Sequence, residues 1–170
     1  MTHGQLTTDL AEIFDVLKAH LALSTSLSSD HIFLSTDPSE APLDRPPADR
    51  FLVVRLGSFR PVATVIMGAG NNLVNFRGTL GVEAYARMFT DQDLRAYSQL
   101  TNASTGLLAL WTKVLAALHQ YEAPRPATPT QSLLTEPMTS AGFEFPRRKS
   151  PNGWGLVTAG WNISFLHRLS

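Results

Sequence analysis

Alternation of apolar and polar residues is clearest near the end of the chain. Over residues 157–165, Val, Ala, Trp, Ile and Phe occupy every second position, and Thr, Gly, Asn and Ser occupy the positions between them. Because successive side chains of a β-strand point to opposite faces, this pattern is typical of a strand with one buried face. It predicts a strand over 154–169, which a shorter strand over 138–147 precedes.

The same period predicts strands earlier in the chain. In a long strand over 76–89, Leu80, Val82 and Ala84 share one face with two further apolar residues, while Glu83, Tyr85 and Arg87 lie on the other. This is the pattern of a sheet with one core face and one mixed face. Shorter apolar strands are expected over 31–35, 51–56 and 61–67, with a turn at 57–60 between the last two.

Helical spacing of apolar residues marks two segments, 9–21 and 104–121. A short helix or turn is also expected over 91–100. The predicted elements follow the order helix, strands, helices, strands. This order predicts an α+β fold. We expect an antiparallel β-sheet packed by the N-terminal helix and the central helix, with a C-terminal β-hairpin.

Prolines concentrate in two segments, 36–50 and 122–137, which together hold eight of the eleven prolines in the sequence. Proline-rich stretches of this kind are typical of loops. The length of 170 residues suits a single domain. We therefore expect one domain over 1–170, interrupted by two proline-rich loops.

Composition narrows the function classes. The chain has 14 basic and 14 acidic residues and a formal net charge of zero, which argues against a general nucleic-acid binder. It contains no cysteine, so disulfides and thiolate chemistry are excluded. The sequence has neither a basic, apolar start nor a long apolar run, so we expect no secretory signal and no membrane span.

Candidate catalytic motifs are weak. The five histidines show no ligand spacing, and Asp91 and Asp93 fit the start of a helix better than a catalytic carboxylate pair. The segment 68–70 has two glycines of a dinucleotide fingerprint, but Leu73 occupies the third glycine position. We therefore expect no catalytic residue, no metal, no cofactor and no enzymatic activity.

Three consecutive cations, Arg147, Arg148 and Lys149, lie between the last two predicted strands. Such a tip can be a solvated turn whose charges prevent unwanted pairing of strand edges. It can also be a docking surface for an acidic neighbour. The pattern leaves both interpretations open.

Several features of the chain together resemble one known family. They are the helix at 9–21, the apolar strands of 51–67, the long strand at 79–89 and the helix around Trp111. The most specific is the aromatic–acid–aromatic sequence of 142–145, which leads into the basic tip and is followed by Gly153-Trp154 and an alternating strand. On these features the chain resembles the tail terminator proteins of long-tailed, lambda-type bacteriophages. Pro146, which interrupts the aromatic-to-basic run, and the two long proline-rich loops depart from the family pattern.

The resemblance implies a structural virion protein that forms a homohexameric ring on the head-proximal end of the tail tube. The ring would stop tube elongation and provide the surface for joining to the head or neck. The implied partners are other copies of the chain, the tail tube protein and the head/neck connector, with no membrane and no specific binding of the genome DNA that passes through the ring. Assembly would take place in the host cytoplasm. We expect protein–protein contacts from residues of the basic tip and of the mixed sheet face, namely Arg147, Arg148, Lys149, Glu83 and Arg87.

Other functions remain open from the sequence. The chain could be another tail or neck protein, such as a tail tube, tail completion or head–tail connector protein. A small α+β enzyme or ligand-binding domain is a different class. A nucleic-acid module that binds through the basic tip is a third.

Overall fold

A computed structural model of the protein describes residues 3–35, 48–67, 71–87, 102–103, 106–144 and 154–169. These ranges contain two α-helices, a short 3-10 helix (Ser29–His31) and five strands. The helices are α1 (His3–Thr25) and α2 (Leu107–Leu118), and the strands are β1 (Ile32–Ser35), β2 (Arg50–Met67), β3 (Asn71–Arg87), β4 (Thr139–Glu144) and β5 (Trp154–Leu169).

The five strands form one sheet in the order β1-β2-β3-β5-β4. All neighbours are antiparallel except β1 and β2, which are parallel. The α+β prediction is confirmed, and the parallel pair makes the sheet mixed. Strands β4 and β5 are antiparallel partners, but the predicted hairpin is not confirmed because its tip at 145–153 lies outside the described residues.

Strand β2 differs from its prediction. It is one continuous strand, and the predicted turn at 57–60 is instead a bulge, where β2 has one residue more than β3 between the pairs Leu56–Leu80 and Phe59–Gly78. Gly57 in this bulge lies so close to Thr79 that any β-carbon would collide with it. The turn-like composition therefore reflects close backbone approach rather than a chain reversal, because β3 supplies a partner along the whole strand.

Helix boundaries also differ from the predicted ones. Helix α1 covers and extends the predicted segment 9–21, and α2 is shorter than the predicted 104–121. The predicted helix at 91–100 lies outside the described residues, as does most of the first proline-rich loop (36–47). In the second proline-rich segment, the chain from His119 to Met138 forms no helix or strand beyond one isolated bridge.

One face of the sheet, which we call the helix face, packs against α1 and α2. The alternation predicted for β5 is confirmed, since its five apolar residues at 157–165 are all buried there. Removal of this apolar surface from water drives formation of the core. The core joins side chains from both helices and from the four strands β1, β2, β3 and β5, among them Leu17, Leu21, Leu110, Val114, Leu80, Val82 and Trp161.

The opposite side, which we call the second face, carries a separate apolar cluster at one end. It consists of Phe51, Val53, Tyr85 and Trp154, all less than 7% exposed, with Phe33 and Leu156 packed against them. The sequence predicts a mixed face here, and the structure shows that its aromatic residues are buried rather than exposed.

Candidate interaction surfaces

The two outer strands of the sheet are unlike each other. Strand β4 ends the sheet on one side, and all six of its residues are exposed. Its sequence, TSAGFE, is uncharged until Glu144. A bulge between Ser140 and Gly142 interrupts its pairing with β5, and Gly142 has a positive φ of 114°, which glycine adopts without strain.

On the other side, β1 covers only part of its neighbour. It pairs with residues 52–55 of β2, and the remaining residues, 56–67, have no partner strand on that side among the described parts of the chain. This stretch contains Pro61 and two interruptions of the register with β3. Bulges and proline interrupt the regular row of backbone donors and acceptors that a sheet edge presents. The described part of the chain therefore has two different sheet edges, one on each side of the sheet.

At the buried end of the second face, an ion pair lies beside the aromatic cluster. Arg55 donates from Nε to Oε1 of Glu83 at 2.7 Å and from Nη2 to Oε2 at 2.9 Å. The two side chains are only 13% and 17% exposed. The hydroxyl of Tyr85 also donates to Oε2 of Glu83, at 2.8 Å. Bidentate Arg–carboxylate geometry with a further donor fixes all three side chains.

The cluster around this ion pair is aromatic. The ring of Phe51 stacks on that of Tyr85, with centroids 4.6 Å apart, and meets Trp154 edge-on at 5.2 Å. Burial of the Tyr85 phenol, together with its hydrogen bond to the Glu83 carboxylate, raises the pKa of Tyr85 well above its ordinary value of 10.0. Both causes favour the neutral phenol, because an ionised oxygen would lose its hydration and repel the carboxylate.

Further along the second face, near the middle of the strands, β2, β3 and β5 border a polar groove of about 470 Å³. Its charged residues are Arg60, Arg77 and Glu136, and Nη2 of Arg77 lies 2.7 Å from Oε1 of Glu136. Here the side chains are 50% and 59% exposed. Hydroxyl and amide groups complete the lining, from Ser58, Thr79, Thr139, Asn162 and Ser164.

The predicted contact residues have different surroundings. Both carboxylate oxygens of Glu83 accept hydrogen bonds inside the chain, so this residue has a structural role. Arg87 is exposed, and its Nη1 lies 3.6 Å from Oδ1 of Asp49. The basic tip at 147–149 lies outside the described residues. A contact role for each of these residues stays a prediction.

A further cavity of about 610 Å³ lies on the helix side, between the C-terminal ends of α1 and α2 and the segment after α2. His20 in its wall stacks on Tyr121, with centroids 4.0 Å apart, and its Nε2 lies 2.9 Å from the carbonyl of Ala117. These contacts join the two helices to the following segment. In the described part of the chain, no three His, Asp or Glu side chains are grouped so that they could hold a metal ion.

The sequence did not single out Arg55, Arg60 or Arg77. Each of these arginines lies within or beside a predicted apolar strand, and the residues they face come from strands or loops far along the chain. The alternation of side chains along β2 and β3 would have placed some of these arginines on the mixed face. It could not show which residue each arginine contacts.

Comparisons with known proteins add no family to this description. The chain matches no protein-family model and no curated protein.

Neither of the two described helices has the length and apolar character that spanning a membrane requires.

Proposed function

We propose that this protein is a structural virion protein of the tail terminator type. It forms a ring on the head-proximal end of a phage tail tube, stops tube elongation and provides the surface to which the head or neck joins. The observation that best supports a ring is the presence of two different sheet edges on opposite sides of one subunit.

Two different edges suit a head-to-tail contact between copies. In such a contact, the β4 edge of one subunit meets the β2 edge of the next, and the second subunit offers its own β4 edge to a third. Repetition of this contact gives a closed ring if the rotation closes and an open filament if it does not. Strand addition at sheet edges is a common way for proteins to contact one another.

Strand direction also suits this contact. Strand β4 is antiparallel to β5, β5 to β3, and β3 to β2. A neighbouring β2 placed in the same orientation beside β4 would therefore extend the antiparallel order of the sheet. The zero net charge of the chain further supports close packing of several copies, because strong mutual repulsion is absent.

The proposed partners are other copies of the chain, the tail tube protein and the head/neck connector. No catalytic role is proposed. The basic tip of Arg147, Arg148 and Lys149 and the exposed Arg87 are the proposed contacts with neighbouring subunits or with the tube.

Replacement of the three tip residues by Ser is expected to impair joining of tails to heads while the protein still folds. Unchanged joining would count against the docking role of the tip.

Electron microscopy of negatively stained protein, alone and mixed with tail tubes, tests the ring directly. A terminator is expected to give closed rings and capped tube ends. A tube protein, the nearest alternative, would extend into filaments. A monomer that leaves tube ends uncapped would refute the proposal.

A matched pair of variants at one exposed residue of β4 tests the role of the edge. Ala141→Lys places a charge at the edge and is expected to prevent strand addition, whereas Ala141→Ser should preserve it. Circular dichroism checks that both variants fold. Rings that form equally well from both variants would show that the β4 edge is not the contact.

A further inference from the structure

The polar groove contains a charge arrangement that the chain itself does not complete. Arg60 and Arg77 are direct cross-strand partners on β2 and β3, where two like charges are unfavourable. Glu136 pairs with Arg77. Within the described ranges, Arg60 makes no ion pair and no hydrogen bond through its side chain.

Local backbone geometry shapes this groove. The bulge of β2 places Gly57 and Ser58 opposite the single residue Thr79. Bulges re-aim neighbouring side chains, and they are frequent where a strand borders a binding site. Ser58, Thr79 and Asn162 contribute hydroxyl and amide groups beside the two guanidinium groups. The groove therefore offers several hydrogen-bond donors around a net charge of plus one, from two arginines and one glutamate.

One carboxylate group would neutralise the net charge of plus one in the groove. Double-stranded nucleic acid carries a regular row of phosphates, and its binding requires many cations along an extended surface. Of the other arginines whose side chains are described on this face, Arg55 is held by Glu83 and Arg87 lies 3.6 Å from Asp49, so the groove pair is not part of an extended row of available cations. An acidic side chain of a protein neighbour is therefore the better partner.

Strand β4 carries one carboxylate, that of its last residue, Glu144. Glu144 is paired with Thr158, which is in turn paired with Glu83, so Glu144 lies on the second face of the sheet. Arg60, through its pairing with Arg77 on the groove side, lies on the same face. The acid is at one edge of the subunit and the unpaired cation is at the opposite edge.

We infer that Glu144 of one copy binds in the groove of the next copy, against Arg60. This inference rests on the proposed head-to-tail ring, and it names the residues that set the contact. In a sheet continued from β4 to the neighbouring β2, both residues would remain on the second face.

The available length of the β2 edge supports this pairing. Because β1 covers residues 52–55, a neighbouring strand can align only with 56–67. If β4 aligns antiparallel to residues 56–67 of the neighbouring β2, its last residue, Glu144, lies toward the start of this stretch, where Arg60 is found. Pro61 and the two register shifts interrupt the backbone ladder there, so backbone pairing alone would define the register poorly. The Glu144–Arg60 ion pair would define it.

Disulfide trapping tests the contact, because the natural chain has no cysteine. Within one subunit the two positions are separated by three strand spacings of about 4.8 Å each, beyond the reach of a disulfide. Under oxidation, the double variant Arg60→Cys/Glu144→Cys is expected to form a ladder of intermolecular disulfides that ends at the closed ring. Mixing the two single variants should give a crosslink between one copy of each.

Charge exchange tests the ion pair itself. Arg60→Glu and Glu144→Arg are each expected to raise the concentration needed for ring formation about tenfold or more, and the double exchange should restore it. Asp15→Arg, at an exposed position on α1, is the matched control and should leave assembly unchanged. Analytical ultracentrifugation gives the concentration dependence.

The outcomes separate this inference from the proposed function. Wild-type rings that are insensitive to both charge reversals, or that give no crosslink between positions 60 and 144, would overturn the inference and leave the ring intact. Crosslinks only between two copies of the same position would show a two-fold contact and overturn the head-to-tail arrangement. Absence of any closed oligomer, with or without tubes, would overturn both proposals. DNA binding that is lost in Arg60→Glu would show that the groove holds phosphate instead.

Discussion

Two Arg–Glu pairs on the same face of the sheet have the same closest N···O distance and different surroundings. In both, this distance is 2.7 Å. The Arg55–Glu83 pair is 13% and 17% exposed and adjoins the aromatic cluster, whereas the Arg77–Glu136 pair is 50% and 59% exposed and lines the groove. The two regions of the second face therefore differ in solvent access rather than in the chemistry of their charged groups.

Solvent access changes what such a pair does. In partly dehydrated surroundings, each charge has lost much of its hydration and depends on its partner, so that removal of one leaves the other uncompensated. In water, both charges are screened and hydrated, and the pair adds little stability. The buried end of the second face is thus structural, while the charges at the groove can exchange partners and contact another molecule.

The largest effect is expected at the aromatic cluster. Phe51 is fully buried and contacts Tyr85 and Trp154, so Phe51→Ala removes a large apolar side chain and leaves a cavity. We expect a loss of about 3–5 kcal/mol in the free energy of unfolding, measured by urea denaturation. The comparison variant is Leu166→Ala near the other end of β5, where the side chain is 40% exposed and the loss should be about 1 kcal/mol or less. Similar losses in the two variants would show that the cluster is not a second core.

The next effect concerns the buried ion pair. Glu83→Gln removes the charge that compensates Arg55 and weakens the hydrogen bond from Tyr85, so we expect a loss of about 2–4 kcal/mol. The double variant Arg55→Met/Glu83→Leu replaces both charges with apolar groups and should be less destabilised than Glu83→Gln. Denaturant unfolding of the three proteins provides the comparison. A double variant that is less stable than the single one would mean that the pair itself is net stabilising.

A smaller effect is expected from the phenol of Tyr85. Tyr85→Phe removes the hydrogen bond to Glu83 and should cost about 1–2 kcal/mol at neutral pH. The pKa of Tyr85 in the folded protein is raised above its ordinary value of 10.0, so its stabilising contribution is complete below pH 10 and is lost as the pH rises further. Burial also raises the pKa of Tyr121.

The pH dependence checks this prediction. Between about pH 10 and 12, the free energy of unfolding of the wild type should fall with pH, because the unfolded state releases the tyrosine protons first. In Tyr85→Phe the fall should be shallower by about 1 kcal/mol per pH unit. Tyr121→Phe serves as the control that still contains the Tyr85 contribution. Equal slopes for Tyr85→Phe and the wild type would show that the phenol ionises normally in the folded state.

The sequence predicted the elements better than their contacts. The alternation in β5 and the helical spacing around Trp111 depend on neighbouring residues only, and both segments have the predicted structure. The continuity of β2 depends on its partner β3, which turned the turn-like sequence around Gly57 into a bulge. Likewise, the parallel pairing of β1 with β2 depends on the path of the chain between them, which no local pattern reports.

The candidate site was the hardest part to predict. Arg55 and Glu83 are 28 residues apart, and Arg77 and Glu136 are 59 apart. Arg55 and Arg77 both lie in predicted apolar strands. One belongs to a buried ion pair and the other to an exposed ion pair, because different groups pack beside them. The sequence identified Glu83 as a residue available for an interface, but its carboxylate is already engaged within the chain.

The smallest effect on stability is expected at the groove. Arg77→Gln removes an ion pair whose side chains are at least half exposed, and the free energy of unfolding should change by no more than about 0.5 kcal/mol. The same substitution removes one of the two like charges opposite each other on β2 and β3, which offsets part of the loss. Urea denaturation at low and high salt gives the comparison with Glu83→Gln, whose effect should persist at high salt because its surroundings exclude solvent ions. A loss at Arg77 as large as that at Glu83 would show that the groove is a structural element of the fold, and the contrast between the two regions of the second face would no longer hold.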